Sequence, residues 1–206
     1  IKESGSKVDY YKADVANESE MIHVFEEIKS KYNTIHGVIH SAGVSGDGFI
    51  FRKEKKVFDN VLRPKVNGTW ILNELTKHEH LDFFIMFSSI TALAGSMGQA
   101  DYTAANAYLD SFAERRQRRR PDEKTVTINW CGWSDVGMLA EYIEERQKAG
   151  NEHKDENGFK TITSAEAIRA FDEVMQKDIR NVIIGEIDHR VLELNQDQIH
   201  FRLSPD

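Results

Sequence analysis

Apolar positions along the chain alternate between a strand-like and a helix-like period, and each change of period marks an element boundary. Lys7 to Val15, KVDYYKADV, reads as a strand ending in Asp14. Asn17 with Glu20 is a candidate capping box for a helix to about Lys31, with Met21, Val24, Phe25 and Ile28 at helical spacing. His36 to His40, HGVIH, is the next short strand. It runs into Ser41, Ala42 and Gly43, a turn with so little side chain that a backbone can approach a flat ligand closely. A helical region then extends from about Lys53 to Lys77, which Pro64 should kink or break near Arg63. LDFFIMF is continuous enough in its apolar character for a buried parallel strand, and DYTAANAYLDSFAERRQ has the alanine content and spacing of a helix.

Further on, Thr125 to Trp130 is β-branched and apolar, another buried strand. The segment 135–158 is charged, with Met138, Leu139, Tyr142 and Ile143 as its few apolar anchors, a composition that suits a lid. A helix from about Ser164 to Lys177, a strand NVIIGEI and a tail from Asp188 complete the chain. Strands alternating with helices in this way predict an α/β fold, a doubly wound parallel sheet. Ser88 and Ser89 fall at the carboxyl end of a central strand, the edge where open α/β sheets bind ligands. Tyr102 and Asn106, an i, i+4 pair, project from one face of the following helix. A hydroxyl pair, a tyrosine and an asparagine in this arrangement suit proton transfer to a carbonyl.

Composition narrows the picture. With 206 residues, 40% of them hydrophobic, the chain suffices for one domain or slightly more. It contains no apolar run of about 18 residues and no basic-then-apolar leader, so no membrane span or secretory signal is expected. The single cysteine, Cys131, fits a reducing, cytoplasmic setting and reads as a small buried residue. A net charge of -7 argues against nucleic acid as a general partner, and the run Arg115, Arg116, Arg118, Arg119, Arg120 reads as a solvated helix end that complements the dipole. His36, His40, His78 and His80 lack metal-ligand spacing, so no metal is expected. Neither a Walker pattern nor a GxSxG occurs. GxGxxG is also missing, which implies that the first βαβ unit lies before Ile1 and that the chain is cut from something longer. Asp47, between Gly46 and Gly48, is equally a simple turn residue or a functional one, and Lys65 taken alone is a surface charge.

The sets HSAG (His40 to Gly43), RPKVNGTW (Arg63 to Trp70), FSS (Phe87 to Ser89), GQADYTAANAYLDSFA (Gly98 to Ala113) and NWCGW (Asn129 to Trp133) resemble ketoreductase domains of modular polyketide synthases. These belong to the short-chain dehydrogenase/reductase superfamily, with a Rossmann-like fold. The likeness covers nearly the whole chain, and the ending VIIGEIDHRVLEL is similar to synthases whose acyltransferase is a separate protein. General members of that superfamily carry lysine four residues after the tyrosine. Here Asn106 stands in that place and the lysine is Lys65, the exchange typical of polyketide and animal-type fatty acid synthase ketoreductases.

The resemblance implies reduction of a β-ketoacyl group on a phosphopantetheinyl acyl carrier protein, with NADPH as the hydride source. It implies that Tyr102 donates the proton, that Ser89 rather than Ser88 holds the carbonyl oxygen, and that Lys65 and Asn106 support the tyrosine and a proton relay. Asp14 and Val15 would lie at the adenine, and Ser41, Ala42 and Gly43 along the cofactor. Asp47 matches the last aspartate of an LDD motif whose other positions are Ser45 and Gly46 here, and Ala94 stands where an A-type domain has tryptophan. Both imply a B-type outcome, a D-hydroxyl; Met138, on the lid, is assigned with Asp47 to the substrate side. The sequence departs from the pattern at Met97, where proline is frequent, and at Cys131, where glycine is usual. One alternative is a non-catalytic or split half-domain, structural in role, that needs a separate N-terminal segment to bind cofactor, with that segment or neighbouring synthase domains as its partners; a second, a free-standing superfamily reductase of a small ketone or sugar, is opposed by Lys65 with Asn106.

Overall fold

A computed structural model describes residues 5–46, 48–148 and 159–187. The chain divides into two compact units, Ile1–Thr127 and Ile128–Asp206. In the first unit α1 (Glu18–Tyr32) is followed by β1 (Gly37–His40), α2 (Lys55–Leu75), β2 (Phe83–Ser89), the single turn α3 (Thr91–Ala94) and α4 (Ala100–Arg119). β3 (Lys124–Trp130) begins there and ends in the second unit, which adds α5 (Met138–Lys148), β4 (Phe159–Lys160), α6 (Ser164–Gln176), β5 (Asn181–Ile184) and β6 (Glu186–Ile187). The four-stranded sheet has the order β1-β2-β3-β5 and is parallel, with Gly37 opposite Phe83 and His40 opposite Met86 in its first pair. Among the described residues no helix is long and apolar enough to cross a membrane.

The core of the first unit forms where three helices set apolar stripes on the first two strands. Met21 and Phe25 of α1, Ile71 and Leu72 of α2, and Leu109, Phe112 and Ala113 of α4 bury against Val38, Phe84 and Met86. Phe84, Met86 and Leu109 are wholly inaccessible, and burying a side chain of that size contributes about 1.5–3 kcal/mol. The buried stripe of α2 reads Val61, Lys65, Gly68 and Leu72, and that of α4 reads Ala105, Asn106, Leu109, Phe112 and Arg116. Each stripe therefore carries polar groups inward with the apolar ones. At Gly68 the reason is contact: a Cβ there would stand 2.9 Å from Val15 Cγ1.

Several expected elements differ. Lys7 to Val15 forms no strand, because among the described residues it has no neighbouring strand with which to share a ladder, and an extended segment without pairing is irregular backbone. α2 runs through Pro64 without a break, since one missing N–H removes one bond from a 21-residue helix that is anchored on both sides of it. NVIIGEI divides at Gly185 into β5 and β6. A Cβ at Gly185 would lie 2.0 Å from Cys131 Sγ, and β6 leaves the parallel sheet to pair antiparallel with β4. Asn17 caps α1, accepting from the Glu20 N–H at 3.3 Å. The Glu20 carboxylate returns to the Asp14 N–H at 2.8 Å instead of closing on the Asn17 backbone.

In the second unit the Cys131 N–H donates to the Ile184 carbonyl at 2.9 Å, and Asn129 Nδ2 donates to Asn181 Oδ1 at 2.8 Å, holding β3 beside β5. Cys131 is buried as expected, and burial pushes its thiol up to about 11. Of the segment 135–158, residues 138–148 form α5, while 149–158 lie outside the described residues.

Candidate active site

The site is assembled in the first unit from the carboxyl ends of β1 and β2 and the inward stripes of α2 and α4. Ser88 and Ser89 are the last two residues of β2. Ser88 Oγ donates to the Asn106 carbonyl at 3.2 Å, so one hydroxyl ties the strand end to the helix. Ser89 Oγ accepts from the Thr91 N–H at 3.2 Å and from Thr91 Oγ1 at 3.0 Å. The Ser89 and Asn106 side chains are the polar neighbours of the Tyr102 hydroxyl.

Burial pushes the Tyr102 phenol above its usual 10, and the hydrogen bonds from Ser89 and Asn106 pull it back in part. Asn106 is fully buried, its Nδ2 donating to the Tyr102 carbonyl at 2.8 Å. Its Oδ1 has no hydrogen-bond partner among the described residues.

Lys65 is 4% exposed and donates to the Phe87 carbonyl at 2.7 Å. Burial lowers its pKa to about 8, opposed by the charge of Asp110. The surface reading of Lys65 is thus overturned. The signal was available in the sequence, because Lys65 occupies the place of a core residue between Val61 and Gly68. Gly43 makes room for it: a Cβ there would lie 3.0 Å from Lys65 Cε. His40, a residue considered above only as a metal ligand, is also buried, with Nε2 3.1 Å from the Pro64 carbonyl. Burial, then the Lys65 charge, lowers its pKa to about 4, so it is neutral near pH 7.

The remaining candidates lie around this cluster. Ser41, Ala42 and Gly43 follow β1 as an irregular loop. Asp14 sits in the turn before α1, accepting from Ala16 N–H at 2.9 Å, with Arg63 of α2 at 3.3 Å, and Val15 packs on Gly68. Asp47 lies outside the described residues. Met138 opens α5 in the second unit, 42% exposed. Sequence reasoning missed Lys53 and Asp101, an interior ion pair at 2.7 Å with side chains 2% and 0% exposed. Nothing local in the sequence pairs them.

The arginine run proves mixed. Arg116 is interior, donating to Asn73, Thr125 and Glu123 and stacked 4.4 Å from the Phe84 ring centroid. Arg118 pairs with Glu114 and Arg120 with Glu123, while Arg115 and Arg119 are exposed.

A family model described as "KR domain" matches residues 1–135. The chain belongs to the ketoreductase (KR) domain family. It is 31% identical over 199 residues to polyketide synthase PksN of Bacillus subtilis, covering 95% of this chain and 4% of that protein. It thus spans a small part of the length of the synthases it matches. The KR chain also superposes on a ketoreductase domain from the bacillaene assembly line, with a TM-score of 0.78 and 34% identity over 94% of this chain and 46% of that one. An N-terminal ketoreductase from the macrolactin assembly line gives 0.78 and 30%, over 94% and 36%. The Rossmann-like fold expected of the short-chain dehydrogenase/reductase superfamily is therefore present.

Proposed function

We propose that this KR chain reduces a β-ketoacyl group, carried as a thioester on an acyl carrier protein, to a β-hydroxyacyl group with NADPH. The observation that carries the reading is the half-buried Tyr102, whose hydroxyl has Ser89 and Asn106 as polar neighbours, with a buried lysine on the adjoining helix. Tyr102 donates its proton to the carbonyl oxygen, and Ser89 donates a hydrogen bond to the same oxygen as negative charge develops on it. Phenolate formation is the costly step for a tyrosine whose pKa is raised by desolvation. Lys65, as an ammonium, stabilises that phenolate, and Asn106 Oδ1 offers an acceptor for a proton relay.

The residues fit a nicotinamide nucleotide at its ribose end. Among the described residues the Lys65 ammonium has one acceptor, the Phe87 carbonyl, which leaves two N–H groups for hydroxyls beside the small loop Ser41–Ala42–Gly43. NADPH, when bound, supplies the hydride. Asp14 and Val15 would hold its adenine end. In this reading Asp47 and Met138 are the residues that the resemblance assigns to the substrate, and Asp47 with Ala94 favours a B-type, D-configured hydroxyl. The exposed guanidiniums at Arg115, Arg118 and Arg119 would meet the acidic carrier.

A second reading, a half-domain that needs a separate N-terminal segment to bind cofactor, is favoured by one observation. β1 is the outer strand of the sheet and its Ile39 is 49% exposed, an edge open to a further strand. Fluorescence titration of NADPH against the chain, with and without a supplied N-terminal βαβ segment, followed by turnover of an acetoacetyl thioester, separates the readings. Turnover in either state that Tyr102→Phe abolishes upholds the reductase. Dependence on the added segment marks the split form, and no binding in either state leaves a structural role.

A further inference from the structure

Lys53 lies just before α2, and Asp101 lies in the first turn of α4, one residue before Tyr102. Lys53 Nζ donates to Asp101 Oδ1 at 2.7 Å, to the Gly46 carbonyl at 3.2 Å and to the Gly98 carbonyl at 3.4 Å. An ammonium has three N–H donors, and here three acceptors take them, one on the loop after β1 and two at the start of α4. Asp101 Oδ1 also accepts from the Tyr102 N–H at 2.9 Å. Asp101 Oδ2 abuts Gly46, where a Cβ would approach it to 2.7 Å and Val61 Cγ2 to 2.4 Å. Gly48 follows against Gly98: a Cβ on Gly98 would meet Gly48 N at 3.7 Å, and both glycines have positive φ, +116° and +77°. The loop after β1 is thereby fastened to the start of the helix that carries Tyr102.

Such a pair is a poor device for stability alone. Desolvating two charges offsets most of their attraction, and an apolar pair of similar volume often does as well. What an apolar pair cannot do is fix the directions of two carbonyl groups and one backbone N–H at the same time. Asp101 Oδ2, fully buried with no hydrogen-bond partner among the described residues, shows that polar satisfaction is incomplete at this corner while the geometry is kept.

The geometry points to Lys53 and Asp101 as a positioning pair for the reduction, holding Gly46 and Gly48 against the turn that carries Tyr102 and so fixing the face of the ketone that the Tyr102 hydroxyl meets. This rests on the reductase reading above. Neither residue touches the reacting atoms; both act through the loop and the Tyr102 backbone.

The test measures the enantiomer ratio of the β-hydroxyacyl product, by chiral chromatography, together with kcat and KM, in whichever state of the protein turns over an acetoacetyl thioester. Lys53→Met is expected to lower the enantiomer ratio and kcat each by at least about fivefold with little change in KM, as displacement of a reacting geometry does. Lys53→Arg, which keeps a cation with several donors, should return most of the ratio. Because Lys53→Met leaves a buried carboxylate alone, the double variant Lys53→Met/Asp101→Asn is measured beside it. A folded variant with a lower Tm but an unchanged ratio and unchanged kcat would overturn the proposal, leaving the pair a stability element. If the unaltered protein turns over nothing, the reductase reading fails, and hydrogen exchange then decides the clamp. Exchange at the amides of Gly46, Gly48 and Tyr102 at least about tenfold faster, with strand amides unchanged, supports it, and equal exchange there refutes it.

Discussion

Two buried lysines bracket the first half of α2, and they are solvated by the protein in opposite ways. Lys53 meets a carboxylate and two carbonyls, so each of its N–H groups has a partner. Lys65, twelve residues on, has among the described residues one carbonyl at 2.7 Å and no carboxylate in hydrogen-bond contact, and its pKa falls to about 8. The first environment holds a cation in place. The second leaves a cation with a single acceptor among the described residues, which is what the proposed stabilisation of a phenolate calls for. A third interior cation, Arg116, resembles Lys53: Glu123, Asn73 and Thr125 all accept from it. The lesson is that burial of charge alone does not mark a site. A shortfall of partners does.

The sharpest way to break this contrast is at the phenol. Tyr102→Phe should reduce turnover by about 10²–10⁴-fold while NADPH binding persists, because only the proton donor is removed. Equal turnover would remove Tyr102 from the chemistry and, with it, the reason for an under-satisfied Lys65.

Next in size is stability at the satisfied cation. Arg116→Met should destabilise the chain by about 3 kcal/mol in urea unfolding, since Glu123 and Thr125 lose their interior partner. Lys65→Met should cost far less, or stabilise, because the desolvated charge it removes has little compensation. A large loss of stability in Lys65→Met would erase the distinction.

The pH profile sharpens it further. Lys65 must be charged to hold the phenolate, so turnover should fall as pH rises through about 8. Stability should move the other way: Lys65 has a lowered folded pKa, so the unfolded chain binds more protons between about 8 and 10.5, and this group's burial penalty is relieved as pH rises through that window. A profile flat to pH 10, with Lys65→Met equally flat, would contradict the assignment.

The smallest effect is at Gly43. Gly43→Ala places a methyl 3.0 Å from Lys65 Cε, a flexible chain that can yield. Stability should change by less than about 1 kcal/mol, while kcat drops several-fold from displacement of the ammonium.

Much of this was legible in the linear chain. Helices α1, α2, α4 and α6 and strands β1, β2 and β3 lie close to where apolar periodicity puts them, because period and burial are local properties repeated along each element. The i, i+4 relation of Tyr102 and Asn106, and the placing of Ser89 at a strand end, needed nothing beyond helix and strand geometry. Even Lys65 betrayed itself by sitting in the inward stripe of α2. The error at Lys7 to Val15 has another source: β-branched and aromatic residues favour extension, but a strand exists only if a partner shares its hydrogen bonds, and no sequence window contains the partner. Arg116 was misread for a similar reason, since its acceptors include Asn73, 43 residues away.

By itself, then, the sequence determined the alternation of elements, the family, and the side chains available at the end of β2 and on the face of α4, because these depend on spacing and residue type. Only the tertiary structure decided which polar groups are short of partners. Among the described residues it set Lys53 against Asp101 across 48 residues, left Lys65 with a single carbonyl, turned His40 inward beside it and left Asn106 Oδ1 without a partner. Burial and hydrogen-bond satisfaction are properties of the whole packing around an atom, and they are what convert a lysine from a solvated charge into a group with chemistry to do.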